Sequence, residues 1–205
     1  MAVDLSALLD PTTTAVVTSE CQNGVLGPES RMPDLAEAAR DTVLPNGGRL
    51  VHAARTAGVQ VIHAVFWRRA DNRAANTNGR MFVAMNKVSP PMLPGSEAAL
   101  PIPEFGLSPD DLVIGRYHGL DPMGGTDLDP ILRNLGVRTV VVVGVSLNVA
   151  LMGLSIGLVD AGYQVVVPRD AVAGVPRDYA DSLLDNTYGL VGTVVTTDDV
   201  VAVWR

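Results

Sequence analysis

Three apolar runs in this 205-residue chain end in residues that can do chemistry. Glu20 and Gln22 follow TTAVVTS, Arg116 and His118 follow DLVIG, and Ser146 to Ala150 follow TVVVVG and its Gly144–Val145 turn. If the runs are neighbouring strands of one parallel sheet, their carboxyl ends open into a common crevice. Open α/β sheets place ligands there, and the start of a following helix adds backbone N–H groups that favour negative charge. A carboxylate, a cation and a helix start in one crevice would bind a small polar or anionic molecule. Glu20 can act as a general base if burial raises its pKa. The plainer alternative is a Glu20–Arg116 ion pair that only closes the strand ends. His118, beside Gly119, is either a ligand contact and proton-transfer group or a loop histidine satisfied by backbone.

Other candidates carry less. His63 sits inside an apolar run and reads as a core or supporting residue, while His52 falls on the surface of a helix. The three histidines show no metal spacing, and no metal is expected. Cys21, the single cysteine, excludes an intrachain disulfide and a cysteine-based zinc site. Strand alternation turns it away from Glu20, and an acidic neighbour does not activate a thiol, so it reads as inert. Neither a Gly-rich dinucleotide fingerprint nor a P-loop occurs, and no cofactor is expected.

The positioning elements can be read from periodicity. Thr139 to Val143 are all β-branched, four of them valine, a run apolar on both faces that needs cover on both. From Leu147 to Ala161 the residues are apolar nearly all round, with Ala150, Gly153, Ser155 and Gly157 allowing close approach, as in a buried helix. Strands are expected at 13–19, 59–66, 111–116, 163–168 and 193–196 as well. Helices are expected at 44–57, 127–135, 177–189 and 198–204, the last with Asp198 as a possible cap. Residues 28–34 read as loop. Residues 67–109 are an irregular excursion, a lid or oligomer contact in which short helices can hide and in which Met81 to Met85 form an apolar patch. The class is α/β, a three-layer α/β/α sandwich on a six-stranded, mainly parallel sheet, in one domain spanning 1–205.

Composition narrows the partners. The formal charge is -7, and the 14 arginines and one lysine are scattered, which argues against nucleic acid. No run of 18 apolar residues and no basic leader appears, so a cytoplasmic protein without a membrane span is expected.

The stretches TAVVTSECQNG, LVHAARTAGVQVIHAVF, GTDLDPILRNLGVRTVVVVGV and DAGYQVVVPRDAVAG follow one another in that order. Together they resemble the isochorismatase-like cysteine hydrolase superfamily, which includes nicotinamidases and N-carbamoylsarcosine amidases. The resemblance implies an isochorismatase-like, Rossmann-like topology and an Asp–Lys–Cys triad. The Asp falls on Glu20. The Lys falls at or near Arg116, with Tyr117 and His118 as alternatives. The Cys falls on Ala150. All three types are altered, and an engineered Cys-to-Ala change would account for position 150 alone. The resemblance also implies a cis peptide at Val145–Ser146, and substrate contacts from Gln22, Trp67, Tyr117, Val145, Ser146, Leu147 and Val149. Trp67 either lines the pocket or packs at an oligomer contact. The superfamily's zinc ligands have no counterpart in HAVFWRRADNR, and its members assemble as homo-oligomers, dimers or tetramers. The resemblance thus implies a hydrolase-like protein with a degenerate triad, acting on a small amide or vinyl ether by a non-cysteine route. The alternative is an inactive homologue that binds a small molecule or a partner.

Overall fold

The computed structural model describes residues 3–87 and 90–205; Val88 and Ser89, inside the expected excursion, and Met1 and Ala2 lie outside the described residues. Six strands form one sheet: β1 (Thr14–Ser19), β2 (Gln60–Phe66), β3 (Leu112–Arg116), β4 (Thr139–Gly144), β5 (Gln164–Pro168) and β6 (Thr193–Val195). Their order is β3-β2-β1-β4-β5-β6 and every pairing is parallel. The order reverses direction between β1 and β4, so the crevice at their carboxyl ends is the sheet's topological switch point.

Alternation explains the two cores. Val16, Val141 and Val143 face one apolar cluster with the helices Pro33–Arg40, Val43–Thr56 and Thr197–Val203. Ala15, Val17, Val140 and Val142 face another, with the helices Leu128–Asn134 and Ala150–Asp160. β1 and β4 are buried along their whole length, which is why their sequences carry no polar face.

Several expectations are corrected in detail. Residues 33–40, read in part as loop, are a helix with Pro33 in its first turn, where the missing N–H is harmless. The last helix is capped by Thr196, whose hydroxyl and N–H pair reciprocally with Asp199; Asp198 is instead paired with Arg49. The expected helix at 147 starts only at Ala150, because the preceding backbone is committed to a clamped turn. Within the excursion a helix spans Arg80–Met85.

His63 is a supporting residue at the β2–β3 edge. Its ring is 1% exposed and lies 2.8 Å from Thr18 Oγ1 and 3.3 Å from Asp111 Oδ2. A neutral ring protonated on Nε2 satisfies both partners. Arg55 donates to both Asp111 oxygens, at 3.2 and 2.6 Å, and Ser108 N–H donates at 2.8 Å. Burial pulls His63 below the ordinary histidine value, and Asp111 offsets this only in part. Burial alone would raise Asp111, but the Arg55 and Ser108 hydrogen bonds hold it below the ordinary carboxylate value. A fold that prefers neutral His63 keeps that preference above the unfolded value of about 6.5 and loses stability as pH falls below it. Asp111 adds a loss only at more acidic pH. Urea midpoints are therefore expected to fall between about pH 7.5 and pH 5, and His63→Gln is expected to flatten that decline. An unchanged slope in the variant would assign the acid sensitivity elsewhere.

Candidate active site

Glu20 leaves the end of β1 with φ +56°, a left-handed conformation uncommon for a non-glycine residue. Its N–H still bonds Ala64 O at 2.9 Å, so the turn is anchored to β2. The left-handed turn takes the chain out of strand alternation. The Glu20 carboxylate enters the crevice, while Cys21 is buried in the opposite cluster with its thiol 3.4 Å from Ser19 O. Gly144 closes β4 beside it with φ +112°; a Cβ there would lie 2.4 Å from Ser19 O and 2.5 Å from Cys21 Sγ, so only glycine fits. Burial, reinforced by the Glu20 charge, pushes the Cys21 thiol well above its ordinary value.

Arg116, from the end of β3, donates through Nη2 to Glu20 Oε1 and to Leu120 O, the latter at 3.2 Å. The side chains of Arg116 and Glu20 are 3% and 13% exposed. Nε and Nη1 of Arg116 are buried with no hydrogen-bond partner among the described residues. Burial raises the Glu20 carboxyl above the ordinary glutamate value, and the Arg116 charge and hydrogen bond oppose that rise without cancelling it.

Two cavities flank this pair. The smaller, about 50 Å³, is lined by Glu20, Arg116, Trp67, Arg68, Tyr117 and His118, among others. The larger, about 300 Å³, is lined by Glu20, Ser146, Asn148, Val149, Ala150 and apolar neighbours including Met32, Leu35 and Val175. Glu20, Met32, Met81 and Leu120 belong to both. Trp67 therefore lies at the crevice, edge-on to Tyr117 with ring centroids 5.9 Å apart. His118 is exposed at its rim.

The turn from β4 into the Ala150 helix is held at four points. Val145 N–H donates to Ser19 O at 3.1 Å, and Ser19 Oγ donates to Val145 O at 2.9 Å. Leu147 N–H donates to Ala173 O at 2.8 Å, and Tyr188 Oη donates to Leu147 O at 2.7 Å. The Val145–Ser146 peptide is cis. These bonds fix where Ala150 and the first N–H groups of its helix point. Tyr188→Phe is expected to lower stability by about 1–2 kcal/mol, because Leu147 O loses its donor in a dry environment. Chemical denaturation measures this, and a loss below a few tenths of a kcal/mol would mean that water replaces the phenol.

Three residues expected at a ligand do not reach the cavities. Gln22 is fully buried; its amide donates to Phe66 O and Ala99 O, both at 3.0 Å, and accepts from Phe66 N–H at 2.9 Å. It ties the end of β1 to the end of β2 and to the 97–102 segment. Val145 and Leu147 are also fully buried, in the two apolar cores. Conversely, Arg68 has no signature in sequence. It looks like one more solvated arginine in WRRADNR, yet it is 8% exposed and lines the smaller cavity. Among the described residues no group of three or more His, Cys, Asp or Glu is placed to hold a metal, and no helix is long and apolar enough to cross a membrane.

A family model for the isochorismatase domain matches residues 14–199. YecD of Escherichia coli O157:H7, an uncharacterized isochorismatase family protein, is 26% identical over 194 residues, covering 94% of this chain and 97% of that one. Among solved structures, a cysteine hydrolase from Pseudomonas syringae pv. phaseolicola 1448A superposes with a TM-score of 0.79 at 24% identity, over 95% of this chain and 93% of the other. The N-carbamoylsarcosine amidase from Thermoplasma acidophilum superposes with a TM-score of 0.74 at 22% identity, over 91% of this chain and 97% of the other. At these identities the two structures establish the fold.

Proposed function

Because the chain belongs to the isochorismatase family, we propose that it is a small-molecule hydrolase working without a covalent enzyme intermediate, with Glu20 as its proton-transfer group. The observation that carries this reading is that Glu20 stands between the two cavities while a methyl group, Ala150, occupies the helix start facing the larger one. Alanine has no lone pair, so attack from position 150 is closed; Ser146 also lines the larger cavity, but no base is paired with its hydroxyl among the described residues, and water is the nucleophile of this reading. A proton is then the one reagent the chain supplies.

That limitation ranks the substrates. Amide hydrolysis by water needs a strongly activated nucleophile and a protonated leaving nitrogen together. A vinyl ether needs a proton first: the carboxylic acid protonates the terminal carbon of the double bond, and water adds to the resulting oxocarbenium carbon. The hemiketal then collapses to a ketone and an alcohol, and the water's proton returns to the carboxylate. A carboxyl raised by burial is suited to that acid step. In the first turn of the Ala150 helix the Leu151 and Gly153 N–H groups are taken by Ser146 O and Val149 O, at 3.1 and 3.0 Å; a remaining N–H can serve only the departing alcohol oxygen, where negative charge develops. Arg116 keeps Glu20 in place but cannot relay its proton, because the guanidinium stays charged.

The second reading is a binding protein without turnover. It is favoured by the direct Arg116–Glu20 pair, which stabilises the ionised carboxylate. A screen of vinyl ethers, carbamoyl amino acids and aromatic amides with the native chain and Glu20→Gln separates the two. Turnover that the variant loses supports the hydrolase; saturable binding with no turnover on any compound removes it.

A further inference from the structure

We infer that the ligand of this crevice carries a single anionic group, a carboxylate or its equivalent, held by Arg68 in the smaller cavity beside the charge of Arg116. This rests on the reading of the crevice as the ligand site and adds the ligand's charge to it. Arg116 and Arg68 line the smaller cavity together; Nε and Nη1 of Arg116 are buried without partners among the described residues, so Arg116 acts there through its charge. Arg68 donates through Nη1 to the neutral Asn86 Oδ1, and among the described residues it has no carboxylate within ion-pair distance. A buried cation is ordinarily paired. Two guanidiniums that stay charged line the smaller cavity with one carboxylate, Glu20, so that lining carries one uncompensated positive charge; the exposed Asp34 lines only the larger cavity.

One anionic group restores neutrality. A planar carboxylate also matches the paired donors of the Arg68 guanidinium, which a neutral amide would meet only in part. Size agrees. The smaller cavity, about 50 Å³, exceeds the roughly 10–15 Å³ that one water needs on the same measure and so admits a carboxylate. The body of the ligand falls to the larger cavity, about 300 Å³, whose walls are mainly apolar. The class is a small monocarboxylic acid with a largely apolar remainder.

Titration calorimetry with matched pairs tests this: acetate and acetamide, benzoate and benzamide, nicotinate and nicotinamide, on the native chain and on Arg68→Met. At least one acid is expected to bind about tenfold or more tightly than its amide, and less tightly as salt rises from about 0.05 to 0.5 M. Arg68→Met is expected to lose about tenfold for that acid and little for the amide. Amides binding as well as acids, no binding by any of the six, or unchanged acid binding in a folded Arg68→Met would each overturn the inference. If Arg68→Met does not fold, the acid-to-amide ratio of the native chain decides alone. Binding without hydrolysis of any substrate would leave this inference standing and remove the hydrolase proposal.

Discussion

Glu20→Gln is expected to lower kcat/KM for the chain's hydrolytic substrate by about 100- to 10,000-fold, the usual contribution of a positioned general acid or base. Glutamine has the same shape and still accepts a hydrogen bond from Arg116, so the cavity keeps its outline; what disappears is the proton. The pH profile makes the test specific. As an acid, Glu20 works in its protonated form, and burial raises its carboxyl. The native rate should therefore fall as pH climbs through that raised value, and Glu20→Gln should lack this limb. A variant that keeps the limb, or loses less than about tenfold, would move the proton transfer to another group, with His118 at the rim next in line. Ala150→Cys is a useful companion. Its thiol would enter the larger cavity, which Glu20 also lines; that negative charge disfavours the thiolate, so slow reaction with thiol reagents is expected.

The sheet was legible because its strands are buried on both faces. Runs such as AVV and TVVVV have no other stable home, and their bounds fall within a residue or two of those expected. The helix at 33–40 was harder to see, since only Leu35 and Ala39 of its eight residues are buried. At the site, residue type at a strand end pointed to Glu20 and Arg116, which line cavities, and equally to Gln22, which does not. All three are polar residues at or just beyond the end of an apolar run. Which of them meets a ligand depends on whether backbone groups from elsewhere consume it, and the Gln22 amide is consumed by Phe66 and Ala99, 44 and 77 residues away. Arg68 is the converse. Its side chain is bonded to Asn86 and lines the smaller cavity with Met81, Phe82 and Met85, neighbours with no local signature in WRRADNR. The left-handed conformation of Glu20 is equally silent in sequence, because glycine would be the expected residue there.

Removing Arg116 should produce the largest loss of stability of any change at the site. Arg116→Met leaves a carboxylate desolvated without its cation, and breaking one side of a buried pair commonly costs about 3–5 kcal/mol. Glu20→Gln leaves the opposite charge behind and should be less damaging, because the amide oxygen still accepts from Nη2. The double variant Glu20→Gln/Arg116→Met carries neither charge. It also removes the two guanidinium N–H groups that the native fold buries without partners. It should therefore be more stable than Arg116→Met alone, and the cycle should give a coupling energy of about 1–3 kcal/mol. Losses that simply add would mean that the pair is screened by water entering the crevice, and Glu20 would then titrate near an ordinary glutamate. The thermodynamic cycle and the kinetic profile thus bear on one physical condition: how dry the junction between the two cavities is, which decides both the strength of the ion pair and the readiness of the carboxyl to hold a proton.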